Sequence, residues 1–238
     1  MQKSALVLLA TGFEEIEATC PIDLLRRADV STTIASCEES LLVSGRSGIK
    51  IEADHHLDPE LDNNHDMLVI PGGPAVFKLR NNPRILSLIH SFDENEKPIG
   101  AICAAPLLLL DSKVLRTRKH TAHGSVLDEL PNLDTKQRVV QDENLTTSRG
   151  AGTAIEFGLG LIEVLHGKEK AKEISEGCNS IAIGPNNEIV AELVKKFAVK
   201  PVRIAIKDQL IFKLLSGIND NNPLNFSTIQ DDAPVSLI

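Results

Sequence analysis

Apolar positions in this chain come in short continuous runs, separated by segments in which they recur every three or four residues. The runs "SALVLLA" (4–10), "STTIASC" (31–37), "MLVIPGG" (67–73) and "PIGAIC" (98–103) have the length and the aliphatic content of strands. The segments "EIEATCPIDLLRRAD" (15–29), "NNPRILSLIHSFDENEK" (81–97), "APLLLLDS" (105–112) and "TAIEFGLGLIEVLHG" (153–167) carry helical spacing, and Asn82 before Pro83 supplies a cap. Shorter, more polar strands are expected in "LLVSGR" (41–46), "GIKIEAD" (48–54) and around "RVVQD" (138–142), while "HHLDPELDNNHD" (55–66) reads as an exposed turn and "LTTSRGAG" (145–152) as the opening of a helix.

Strands that alternate with helices imply an α/β fold, a doubly wound and mainly parallel sheet with helices on both faces. In such sheets ligands collect beyond the carboxyl ends of the strands. The segments "GFEEIE" (12–17), "PGG" (71–73) and "ICAAP" (102–106) all follow strand ends, so the topology is expected to bring them to one rim. After about residue 180 the texture changes: "SIAIG", "NEIVAELVKKFA", "VRIAIK" and "QLIFKLLSG" read as strand, helix, strand and helix, followed by a polar, proline-containing tail. Residues 1–182 are therefore expected to form the main domain, and residues 183–238 a C-terminal α/β extension with a flexible tail and no legible role.

With 238 residues, 42% of them apolar, the chain can close one sizeable core. Its formal charge of -8 argues against nucleic acid and against an anionic membrane surface, because both require clustered Lys and Arg. The run "ALVLLA" is too short for a secretory segment and no stretch approaches a membrane span, which places the protein in the cytoplasm. Cys20, Cys37, Cys103 and Cys178 lie far apart and form no C-x-x-C pair, so neither a zinc site nor a disulfide framework is indicated. The histidines and aspartates of 55–66 lack a regular ligand spacing, and no metal or other cofactor is expected.

Cys103 is the exception among the thiols. It stands at a strand-to-helix junction, where unpaired N–H groups and the helix dipole favour thiolate, and its pKa is expected to fall below that of a free thiol. Ala104 and Ala105 allow close approach of a ligand, and the N–H after such a nucleophile can hold an oxyanion, with Gly72 and Gly73 offering a second donor. The same stretch also reads as a buried βα unit whose thiol fills a gap.

Glu14 and Glu17 would share a helix face while Glu15 points elsewhere, and acidic residues suit a helix start in any case. A carboxyl touching Cys103 should be protonated or share a proton with the sulfur. His123 could move protons for the thiol, with His120 competing for the role. "TSRGAGTAIEFG" lacks the spacing and the G-K-[ST] ending of a phosphate loop.

Taken in order, "ALVLLATGFEEIEATCPIDLLRRA", "LVIPGG", "GAICAAPLLLL", "HTAHG" and "LTTSRGAGTAIEFGLGLIEVLHGKEKA" resemble the ThiJ/PfpI family, which is class I glutamine amidotransferase-like, and within it the Parkinson-disease deglycase (DJ-one) subgroup. The resemblance covers roughly residues 1–182. It implies a flavodoxin-like sandwich, commonly a homodimer, with the reactive cysteine at Cys103, the inward glutamate at Glu17 and the histidine at His123. It also implies backbone oxyanion donors at Gly73 and Ala104, with Ser148, Arg149 and Gly150 as pocket neighbours. Ala104 stands where the protease-like branch carries histidine. Arg46 of "SGRSGIK" is one place from the family's arginine, and no role is carried over to it.

The resemblance implies a cofactor-independent glyoxalase or protein deglycase acting on methylglyoxal, glyoxal or their early adducts. The alternative is a redox-sensing protective protein or chaperone that uses the same cysteine. An amidase or peptidase is the weaker third reading.

Overall fold

The computed structural model describes residues 2–178. The expected boundary near residue 182 and the elements expected after it lie outside the described residues.

In chain order the elements are β1 (Ser4–Leu9), α1 (Glu15–Arg27), β2 (Ser31–Ser36), β3 (Leu42–Ser44), β4 (Lys50–Glu52), β5 (His55–His56), α2 (Pro59–Asp62), β6 (Met67–Ile70) and α3 (Ala75–Leu79). They continue as α4 (Pro83–Glu94), β7 (Ile99–Ile102), α5 (Pro106–Asp111), β8 (Val139–Asp142), β9 (Leu145–Ser148), α6 (Ala154–His166) and α7 (Lys168–Gly177). A seven-stranded sheet has the order β5-β2-β1-β6-β7-β9-β8, parallel except for the β8–β9 pair, and β3 and β4 form a separate antiparallel pair.

The continuous apolar strands are continuous because both faces are covered. Val7 and Leu9 of β1 join the cluster under α1 and α6, whereas Leu6 and Leu8 join the one under α4 and α5. In β7, Ile99 and Ala101 face the second cluster and Ile102 the first. Helices thus lie on both faces of a mainly parallel sheet, as the alternation of periods predicts.

Three segments differ from expectation. "LTTS" is not a helix opening but β9, paired in parallel with β7, and the side chains of Thr147 and Ser148 find partners on neighbouring segments. The Thr121 N–H donates to Thr147 Oγ1 at 2.9 Å and Ser148 Oγ donates to the Arg138 carbonyl at 3.0 Å. The histidine-rich stretch is not simply an exposed turn: His55 and His56 extend the sheet beside β2, and buried Asp62 accepts from the Asp58 N–H and lies 3.2 Å from His55 Nε2. Helix α3, directly after Gly72 and Gly73, is an additional turn.

The topology does bring the three strand-end segments together. Glu14 N–H donates to the Gly72 carbonyl at 3.1 Å and Ala75 N–H to Gly12 at 3.2 Å, joining the ends of β1 and β6. Cys103 N–H donates to Ser148 at 2.9 Å, joining the ends of β7 and β9.

Candidate active site

Cys103 leaves β7 with φ of +66°, a left-handed conformation that costs a residue bearing a Cβ roughly 1–2 kcal/mol. The elbow is held in place by hydrogen bonds on both sides, since the carbonyl of Cys103 accepts from the His123 N–H at 2.9 Å. Strain held at one half-buried thiol points to a use for that orientation.

The three carboxylates of "GFEEIE" have three different fates. Glu14 is the N-cap of α1, its Oε2 accepting from the Glu17 N–H at 2.8 Å, so it does not share an inward face with Glu17. Glu15 turns toward the β3–β4 turn, where its Oε1 accepts from the Ser47 N–H at 2.6 Å. Burial works against its charge, but hydrogen bonds from its own N–H and from Ser47 and Ile49 outweigh it and hold the carboxyl below its ordinary range. Glu17, 1% exposed, is the inward one: its Oε2 accepts from the Gly72 N–H at 3.0 Å, and the carboxyl faces the Cys103 thiol and the Ala151 N–H closely enough for both to favour its charged form.

Gly72 makes this contact possible. A Cβ there would fall 2.5 Å from both Cys103 Cβ and Glu17 Oε2, so only glycine lets the strand end pass between thiol and carboxyl. Gly73, at φ +94°, turns the chain so that its N–H reaches the sulfur. The Ala104 N–H reaches it too. Two backbone donors at one sulfur can hold negative charge that develops there.

The titration of the pair departs from expectation. Burial raises Glu17 to about 7, reinforced by the charge of Glu14 and opposed by its bonds to Cys103, Gly72 and Ala151. Burial also pushes Cys103 up to about 12, ionised Glu17 adding to it and the Gly73 and Ala104 N–H groups opposing. The helix that follows does not make this thiol acidic. Helix α5 is only six residues long and starts three residues beyond the sulfur, whereas the carboxylate touches it. The two groups titrate as a pair. With Glu17 ionised the proton stays on sulfur; with Glu17 protonated the repulsion disappears, and a thiolate accepting from Gly73, Ala104 and the carboxyl O–H becomes the alternative.

Burial raises Cys20 to about 11 and Cys37 to about 12 as well. What sets Cys103 apart is therefore its donors and its carboxyl partner.

His123 is exposed on the loop after Thr121 and Ala122, where its Nδ1 accepts from the Ser125 N–H at 3.1 Å and lies 2.8 Å from Ser125 Oγ. Gly150 measures its distance from the carboxyl. A Cβ on Gly150 would lie 3.4 Å from His123 Cδ2 and 3.6 Å from Glu17 Oε1, so imidazole and carboxyl flank the same small space. His120, the competing candidate, is 1% exposed, with Nδ1 2.9 Å from the Arg118 carbonyl.

Ser148 is buried beneath the site and holds the elbow through its carbonyl. Gly150 borders the site, and Arg149 between them is exposed, its N–H on the Arg138 carbonyl at 3.3 Å. Arg46 is exposed on the β3–β4 turn, its backbone N–H donating to Phe13 at 2.8 Å. Sequence reasoning missed Ala151, whose contribution is a backbone N–H and leaves no signature in residue type.

A profile of the DJ-1/PfpI family matches residues 3–164. Protein DJ-1 homolog B of Arabidopsis thaliana is 36% identical over 174 residues, 72% of this chain, which spans only 40% of that relative's length. The glutathione-independent glyoxalase DJR-1.2 of Caenorhabditis elegans is 34% identical over 177 residues, 73% of this chain and 94% of that protein. Among solved structures, oxidized DJ-1 of Toxoplasma gondii superposes with a TM-score of 0.70 at 34% identity, covering 74% of this chain and 97% of that one.

Proposed function

The chain belongs to the DJ-1/PfpI family, and on that premise we propose that it is a cysteine-dependent, cofactor-independent glyoxalase or deglycase acting on methylglyoxal, glyoxal or their early adducts. The observation that carries this reading is the Cys103–Glu17 pair with the Gly73 and Ala104 N–H groups directed at the sulfur. The C. elegans relative named as a glyoxalase supports the reaction class.

In this reading the pair reacts from its singly protonated state. The sulfur attacks the aldehyde carbon of methylglyoxal, and the proton held by the pair passes to the new alkoxide, giving a hemithioacetal. Glu17, now a carboxylate, removes the proton from C1, and His123 assists its delivery to C2. The resulting thioester is hydrolysed by water to lactate and free thiol, so dicarbonyl plus water equals hydroxy acid. The Gly73 and Ala104 N–H groups steady the oxygen that becomes negative.

The assay is methylglyoxal consumption with stoichiometric lactate formation by metal-free protein. Activity that persists in Cys103→Ala ends this proposal.

A second reading has its own support: a half-buried thiol hydrogen-bonded to a carboxyl is suited to oxidation that stops at the sulfinate, where Glu17 can donate to a sulfinate oxygen. An oxidized state is named for the Toxoplasma relative. Intact mass after mild peroxide should show two added oxygens on Cys103, and earlier oxidation of Cys20 would count against it.

A homodimer belongs to the same proposal. Ile16, Ile49 and Ile155 are 53%, 58% and 47% exposed, and they sit at the start of α1, on the β3–β4 turn and at the start of α6. A monomer in size-exclusion chromatography of the full chain would remove this part.

A further inference from the structure

We propose that Thr153 is a positioning residue for the Cys103–Glu17 pair: its hydroxyl holds the Gly150–Ala151 peptide, which borders the Glu17 carboxyl, so that the Ala151 N–H stays turned toward that carboxyl. The inference rests on the reading of Cys103 and Glu17 as the reacting pair.

Thr153 is 5% exposed, and its Oγ1 is the centre of a closed set of hydrogen bonds. It accepts from the Gly150 N–H at 3.1 Å, lies 2.8 Å from the Gly150 carbonyl and lies 2.6 Å from Ser148 Oγ. The Thr153 N–H donates to that same Gly150 carbonyl at 2.8 Å. Both backbone polar groups of Gly150 are thereby fixed by one residue three places on. Gly150 needs such a tie, because a residue without a side chain has no packing of its own to hold it. The peptide between Gly150 and Ala151 borders the carboxyl, a Cβ on Gly150 falling 3.6 Å from Glu17 Oε1, and its N–H favours the charged form of Glu17.

The other end of the set reaches the sulfur. Ser148, which contacts Thr153 through its hydroxyl, accepts the Cys103 N–H with its carbonyl at 2.9 Å. One buried hydroxyl therefore links the strand end that holds the thiol to the loop that borders the carboxyl. Elsewhere around the pair the donors are fixed by strand ends and by the elbow. The loop 149–152 is tied to Arg138 at Arg149 and Gly152, and between those ties Gly150 is held by the Thr153 hydroxyl and N–H.

Release of the Ala151 N–H takes a donor from ionised Glu17, so the carboxyl binds its proton more tightly and the pair gives up its first proton at higher pH. A purely structural threonine would lower stability without moving that titration. The test uses the full chain as wild type, Thr153→Val and Thr153→Ser, with two readouts: the pH profile of Cys103 alkylation by iodoacetamide, followed by intact mass, and the acidic limb of kcat/KM for methylglyoxal.

The expected result is an upward move of the alkylation midpoint by roughly half to one pH unit in Thr153→Val, the order of one lost charge-assisted hydrogen bond, with the wild-type midpoint restored in Thr153→Ser. An unmoved midpoint in folded Thr153→Val, or the same move in both variants, overturns the inference. If Thr153→Val does not fold, Thr153→Ala removes the same hydroxyl, and a midpoint that stays in place there overturns it equally. Wild type that alkylates with this profile but consumes no methylglyoxal sinks the enzymatic reading and leaves the positioning role standing.

Discussion

Replacing Glu17 by glutamine keeps the shape of the side chain and its acceptor for the Gly72 N–H while removing the one carboxyl that touches Cys103. The structure sets the size of the effect. Folding raises this carboxyl from 4.5 to about 7, chiefly by burial. At about 1.36 kcal/mol per pH unit, holding it ionised inside the fold costs about 3 kcal/mol. The folded state binds the Glu17 proton more tightly than the unfolded chain does. Its contribution to stability is therefore complete below about pH 4.5 and is lost as pH rises through about 7. Glutamine carries no such dependence. The stability of Glu17→Gln minus that of wild type should thus increase by about 3 kcal/mol between pH 4.5 and pH 8, and comparing the two proteins cancels the titrating groups outside the Cys103–Glu17 pair. For a domain of this size that is about 6–12 °C in Tm, readable by scanning calorimetry or by urea unfolding at the two pH values. The variant should at the same time lose glyoxalase turnover. A stability difference that is the same at both pH values would refute the argument, because it would mean that Glu17 does not change protonation in this window.

Three further outcomes follow from the site. Cys103→Gly should be more stable than Cys103→Ala by about 1 kcal/mol in chemical denaturation, because glycine occupies φ of +66° without cost; equal stabilities would show the elbow to be unstrained. His123→Ala should lower kcat about tenfold or more while leaving Tm nearly unchanged, because the ring is exposed and its acid-base role is separable from packing. Gly72→Ala should abolish turnover and destabilise by about 1–3 kcal/mol, because the added carbon would fall 2.5 Å from Cys103 Cβ and 2.9 Å from the Ile102 carbonyl; a fully active variant would show the thiol–carboxyl contact to be unnecessary.

Much of the site was legible in the amino acids. "GAICAAPLLLL" places a thiol between a buried strand and a helix, and that junction is the elbow at Cys103. "IPGG" supplies the glycines through which the next strand end passes close to it. Three things were not legible. Spacing alone sets Glu15 apart but leaves Glu14 and Glu17 on one face, and the cap and the thiol divide those two only once the partners are in place. Proximity to a helix start suggested an acidic sulfur, but burial and a touching carboxylate act more strongly than the dipole of a short helix. The Ala151 donor is a backbone group with no mark in residue type.

The sequence by itself determined the order and kind of the main elements and the strand ends at which chemistry could occur, because apolar period, capping residues and glycine placement are local properties of the chain. It misjudged β9, since threonine and serine form no apolar run and their burial is allowed only by acceptors and donors on other segments. Which groups meet, and which proton each of them holds, only the tertiary structure decided: desolvation and charge–charge contact depend on distances between residues as remote in sequence as Glu17 and Cys103, and no local pattern carries that information.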